Sequence, residues 1–279
     1  MSKPVDYEVE YNNRARVPEN PALIQGWARD ARAYRSLHAP RAIAYDSGAR
    51  HSIDFFEGDP DSPIVVFIHG GYWQALDISF FSHLAAGPNG HGLSVAIPGY
   101  ELCPAVTVDQ IIQQMRRAMR ALARLQRPLI VSGHSAGGHL AACMLATDWP
   151  AVDASLPDNL VIAAYAISGL FDLGPLVETS INGALRLDQT AARAVSPLFW
   201  DAPTRGTLDA VVGERESAEY FRQSQAIVER WGNAGLPTRF GLIPDANHFT
   251  AIAPLADPAS AMVARLLELA GRSAPASRS

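Results

Sequence analysis

The 279-residue chain is 48% hydrophobic and 18% charged, enough apolar mass for one large α/β domain with a buried core. Its formal charge of -5 excludes the general basic field that a nucleic-acid or anionic-membrane surface would need. Cys103 and Cys143 lack the spacing of a metal or redox pair and are expected to be reduced and structural. The segment Met1 to Glu8 has no apolar stretch of signal-peptide type, and no later run has the length of a membrane-spanning helix, so a soluble cytoplasmic protein is expected. Residues 1–40 read as a helical lead-in, with Leu23, Ile24, Trp27, Tyr34 and Leu37 scattered through an Arg-, Ala- and Glu-rich stretch. Ala42–Tyr45 and Ser52–Phe56, joined by the turn-like Asp46 to Arg50, then predict an antiparallel hairpin at a sheet edge.

From there the pattern alternates strand and helix. Strands are predicted at Ile64–Ile68, Leu93–Ile97, Leu129–Val131, Val161–Ile167, Leu208–Val212 and Thr238–Ile243, most of them apolar on both faces. Such runs indicate a mainly parallel sheet covered by helices on both sides, eight strands with the hairpin included. Arg116, Arg117, Arg120, Arg124 and Arg127 accompany an apolar stripe at Ile111, Met115, Ala118, Leu122 and Leu125, so they read as the solvated face of a helix. Residues 168–207 are too long for a simple crossover and are expected to form a cap, with helical pieces near Leu176 to Leu187 and Gln189 to Val195. Residues 271–279 are small, polar and interrupted by proline, which predicts a frayed tail.

The most informative stretch is Gly133-His134-Ser135-Ala136-Gly137, a G-x-S-x-G motif where a buried strand should turn sharply into a helix. There a serine hydroxyl is held clear of the sheet, and the flanking glycines let strand and helix approach each other. A nucleophilic Ser135 needs a base, and His248 follows the last predicted strand, where such a base belongs. The acid should follow Leu208–Val212. Gly213-Glu214-Arg215-Glu216-Ser217 offers two carboxylates, of which Glu216 lies past the tight turn and is preferred; Glu214 is expected to face solvent or pair with Arg215. Asp245 is a third candidate, disfavoured because it lies only three residues from the histidine. His69-Gly70-Gly71-Tyr72-Trp73 follows the strand Ile64–Ile68 and would supply oxyanion-binding N–H groups at Gly70, Gly71 and Tyr72, completed by Ala136. His69 and His134 read as loop-bracing residues, and Tyr72 and Trp73 as walls of a narrow substrate pocket.

Together these residues resemble the α/β-hydrolase family, specifically its branch of kynurenine formamidases (arylformamidases) and related esterases. The resemblance extends to Tyr11-Asn12-Asn13-Arg14-Ala15-Arg16, to Ser168-Gly169-Leu170-Phe171-Asp172-Leu173, and to Gly213 to Tyr220 with Arg222-Gln223-Ser224, covering nearly the whole chain. One departure stands at the acid position, where the branch usually carries aspartate and this chain has Glu216. The resemblance implies a serine hydrolase that takes the formyl group from an aryl formamide such as N-formylkynurenine through an acyl-enzyme, with no metal or cofactor. A carboxylesterase for short-chain esters is the nearest alternative, and a non-catalytic binding protein on the same fold ranks last. The expected partner is a small-molecule substrate, with no nucleic acid and no membrane; the oligomeric state stays open, a homodimer included.

Overall fold

A computed structural model describes residues 4–271, so the tail expected at 271–279 lies, beyond Gly271, outside the described residues. Eight strands form one sheet: β1 (Arg41–Ala44), β2 (Ser52–Phe56), β3 (Ile64–Ile68), β4 (Ser94–Pro98), β5 (Leu129–His134), β6 (Val161–Ile167), β7 (Thr207–Gly213) and β8 (Thr238–Ile243). Their spatial order is β1-β2-β4-β3-β5-β6-β7-β8. The β1–β2 hairpin sits antiparallel at one edge, β2 meets β4 antiparallel, and every later pairing is parallel.

The inner strands are buried on both faces because two layers cover them. Ile64, Val66 and Ile68 of β3 pack into one core with the helices Val108–Ala123, Ala136–Leu145 and Ala218–Asn233; Val65 and Phe67 pack into the other with Trp27, Phe81 and the helix Ala261–Leu269. This alternation follows from the two-residue period of a strand. The helix Val108–Ala123 starts at a capping box between Thr107 and Gln110 and buries Ile111, Met115, Ala118 and Leu122. Arg117 and Arg120 on its outer face pair with Asp46 at 2.8 Å and Asp153 at 2.7 Å. Arg127 departs from the solvated-face expectation: it lies beyond the helix and donates to the Ser62 carbonyl and, at 2.8 Å, to the Ser94 hydroxyl. Both cysteines are buried and unpaired with each other.

Two segments outside the sheet shape the end where the parallel strands finish. The lead-in forms α1 (Tyr7–Tyr11), α2 (Asn13–Arg16) and α3 (Asn20–Leu37). Residues 168–207 hold a 3-10 turn at Gly174–Glu178, short helices at Asn182–Leu185 and Gln189–Ala194, and a second 3-10 turn at Pro197–Phe199. Glu8 of α1 fastens the two together, accepting from the Ser180 N–H and hydroxyl, each at 2.7 Å. Among the described residues no helix is long and apolar enough to cross a membrane.

Candidate active site

Ser135 sits between β5 and the helix Ala136–Leu145 with φ 56° and ψ -117°, a left-handed conformation that a residue with a Cβ adopts only under constraint. Close approach of backbone to backbone supplies the constraint. A Cβ on Gly137 would lie 1.9 Å from the Ile68 carbonyl oxygen, and one on Gly133 would lie 2.2 Å from that of Gly137. Only glycine fits at either place, and the sharp turn they allow brings Ser135 to the wall of a cavity of about 440 Å³.

The loop after β3 lies directly against the nucleophile candidate. A Cβ on Gly70 would stand 3.0 Å from the Ser135 Cβ. Gly71, Tyr72 and Trp73 then carry φ of 110°, 50° and 57°, a curled run of the kind that leaves N–H groups free for an anion. Among the described residues the Gly71 and Tyr72 N–H groups donate to no backbone carbonyl. Ala136 opens the helix that follows Ser135, so its N–H belongs to the unsatisfied first turn.

The same curl corrects the expectation for Trp73. Tyr72 lines the cavity, but the indole of Trp73 is turned beneath the loop, fully buried and edge-on to His139 with ring centroids 5.1 Å apart. Successive left-handed residues send adjacent side chains in different directions, so sequence neighbours do not share a wall here.

Loops after β7 and β8 are knitted by backbone bonds from the Glu214 N–H to the Ile243 carbonyl at 3.1 Å and from the Arg215 N–H to the Ala246 carbonyl at 2.9 Å. That lacing brings Glu216 to His248, with Oε2 2.6 Å from Nδ1. The other oxygen, Oε1, accepts from the Gly213 N–H at 2.8 Å and the Ser168 hydroxyl at 2.5 Å. Because an ionised carboxylate only accepts, Nδ1 carries the proton and Nε2 is the basic nitrogen. Glu214 points elsewhere: it accepts from the Asp245 N–H at 3.0 Å, and Arg215 pairs with the exposed carboxylate of Asp245 rather than with Glu214.

His248 lines the cavity with Ser135, its ring packed between His134 and Tyr220, each with a centroid 4.6 Å away. Burial holds His134 well below the usual imidazole range, and a charged His248 beside it would push it further down, so His134 stays neutral. Burial likewise lowers His69 and His139 to about 4. The Tyr220 hydroxyl lies 2.7 Å from that of Tyr72, accepts from Asn13 Nδ2 at 2.7 Å and is also acted on by the Ser135 hydroxyl. The Tyr72 hydroxyl in turn donates to the Tyr11 carbonyl at 2.6 Å. Burial raises both phenols, keeping them protonated donors.

The architecture of this site agrees with the match of residues 65–276 to the alpha/beta hydrolase family. The chain belongs to that family. Curated relatives of this hydrolase include a kynurenine formamidase of Danio rerio, 29% identical over 83% of this chain and 82% of its own, and one of Drosophila melanogaster, 28% identical over 84% of each. Among solved structures, one from Silicibacter sp. TM1040, provisionally described as a thioesterase, is 36% identical with a TM-score of 0.82, covering 94% of this chain and 98% of that one. The esterase of Pyrobaculum calidifontis, at 16% identity, shares the fold with a TM-score of 0.70 over 96% of this chain and 99% of its own.

Several contributors to the candidate site lie beyond what local sequence patterns mark. Tyr11, Asn13 and Arg14 wall the cavity from the lead-in, which strand-and-helix periodicity marks only as helical. Tyr220 reaches Ser135 and His248 from the helix after the loop that carries Glu216, and Ser168 bonds Glu216 from the end of β6. Their one signal was the resemblance, whose motifs include all five residues. Among the described residues no three His, Cys, Asp or Glu side chains form a metal-holding group.

Proposed function

We propose that this hydrolase is a serine enzyme that removes a small acyl group from an aromatic amine, with an aryl formamide such as N-formylkynurenine as its substrate. The observation that carries the reading is the pairing of a strained Ser135 with a His248 whose Nδ1 is held by Glu216 at 2.6 Å, on one cavity. In this mechanism His248 Nε2 takes the Ser135 proton as the hydroxyl attacks the formyl carbon, and Glu216 stabilises the resulting imidazolium. The oxyanion is held by N–H groups of the Gly70-Gly71-Tyr72 turn and of Ala136. His248 then protonates the departing aniline nitrogen, and water, activated by the same imidazole, releases formate from the acyl-enzyme.

A cavity of about 440 Å³ suits a substrate of amino-acid size. The Tyr72 and Tyr220 hydroxyls crowd the side of Ser135, which favours formyl or acetyl over long acyl chains. The kynurenine formamidase relatives support the formamide over other amides. A short-chain carboxylesterase is the second reading, favoured by the structure described as a thioesterase at 36% identity. Rates on N-formylkynurenine beside p-nitrophenyl esters of increasing acyl length decide between them. The proposal expects formamide turnover and acetyl esters cleaved faster than octanoyl esters; absent formamide turnover with a preference for octanoyl would overturn it.

A further inference from the structure

Two charged side chains stand in the otherwise neutral lining of the cavity. Arg14 and Glu8 are its Arg or Lys and its carboxylate, joined by Asn12, Gln74 and Ser180 as the polar part of the wall. The apolar part is made by Ile24, Trp27, Leu76 and Phe249. One cation, one anion and an aromatic slot are the complement of an amino acid with an aromatic side chain.

The backbone at Arg14 is held in place, and its side chain is exposed and not consumed. Its neighbour Asn13 is bonded to the Tyr220 and Tyr72 hydroxyls beside Ser135, and its own carbonyl accepts from Asn20 Nδ2 at 3.0 Å. Arg16, two residues on, pairs with Glu10 at 3.3 Å. Among the described residues the Arg14 guanidinium enters no ion pair, although it lines a cavity that holds Ser135 and His248. Glu8 accepts one bond on each oxygen from Ser180, which leaves further lone pairs on both. Those bonds, the backbone N–H of Ser180 first, also lower its pKa, so it is an anion at neutral pH.

We propose that Arg14 and Glu8 recognise the carboxylate and ammonium groups of an amino-acid arm on the leaving group of the substrate. This deepens the aryl-formamide reading and rests on it for the identity of the bond cleaved. Arg14 grips the carboxylate through its forked N–H groups, Glu8 accepts from the ammonium, and the aromatic ring lies against Trp27 and Phe249 with its acylated nitrogen toward Ser135. Neutral aryl formamides and simple esters lack both charges and forgo this contact.

The test uses competitive inhibition of p-nitrophenyl acetate hydrolysis, which does not require formamide cleavage. Kynurenine carries the arm and 2'-aminoacetophenone is the same aryl ketone without it. Wild type should bind kynurenine more tightly than the neutral ketone, and Arg14→Gln should reduce that preference about ten- to hundredfold, as loss of a charge-assisted pair does. Arg14→Lys should restore part of it. The preference is a ratio taken on one preparation, so the fraction of variant that folds does not enter. Kynurenine binding no tighter than the neutral ketone in wild type, or the same preference in Arg14→Gln, would overturn the proposal. Turnover of N-formylkynurenine is read separately: its absence with the inhibition ratio intact removes the formamide reading and leaves Arg14 in its role.

Discussion

Replacing Glu216 by glutamine keeps the shape of a buried side chain and removes one charge and one acceptor, which the geometry makes a severe change. The carboxylate serves three donors: His248 Nδ1 on Oε2, and the Gly213 N–H and Ser168 hydroxyl on Oε1. An amide has one oxygen. If that oxygen stays on the Oε1 side, Gly213 remains satisfied and the NH2 faces His248, forcing the tautomer with the proton on Nε2, where it cannot accept from Ser135. If the amide flips, its NH2 meets the Gly213 N–H, stranding a buried donor at a cost of about 1–3 kcal/mol. The first arrangement wins, so the expected loss in kcat is about 10²- to 10⁴-fold, with the fold retained. Stopped assays on p-nitrophenyl acetate and an aryl formamide, beside a thermal melt, measure it. Glu214→Gln is the control, since its carboxylate accepts an exposed N–H from Asp245, and activity within about twofold of wild type is expected. A folded Glu216→Gln enzyme keeping more than about a tenth of wild-type kcat, or a large loss at Glu214, would refute the assignment.

Acidification from pH 7 to 5 should destabilise the protein. Burial lowers His69 and His139 to about 4 from the ordinary 6.5, so the unfolded chain takes up these protons first. Between pH 7 and 5 each histidine then loses about 2 kcal/mol of stability, about 4 kcal/mol for the two, and the loss stops near the folded value. Melting temperatures at pH 7, 6 and 5 should fall, and a rise or a flat profile would contradict the burial argument. Trp73→Ala should cost about 3–5 kcal/mol in urea unfolding, because a fully buried indole is removed, while the ranking of acyl lengths is kept. A shifted ranking at undiminished stability would return the indole to the substrate pocket.

Legibility in the sequence followed the range of the interactions. β3 and β6 could be bounded from composition because double-sided burial demands continuous apolar residues, and Gly133, Gly137 and Ser135 could be read as a turn because the backbone there admits nothing larger. Loop position favours Glu216 over Glu214 in the sequence, and in the structure the laced loops set Glu216, not Glu214, 2.6 Å from His248 Nδ1. What periodicity could not convey was contact across the chain. Asn13 meets Tyr220, and Glu8 meets Ser180, through pairings that no local pattern encodes. Trp73 was misplaced for a different reason: adjacency to Tyr72 suggested a shared wall, whereas three consecutive positive φ values separate the two side chains.

The central claim, that Ser135 is the nucleophile, is tested most directly by covalent capture. Intact mass and peptide mapping after treatment with a serine-directed phosphonate should show one adduct on the peptide bearing Ser135. Ser135→Ala should show none, and should fold with kcat lowered about 10⁴-fold or more. Labelling that persists in Ser135→Ala, or a folded alanine variant with undiminished turnover, would contradict the account.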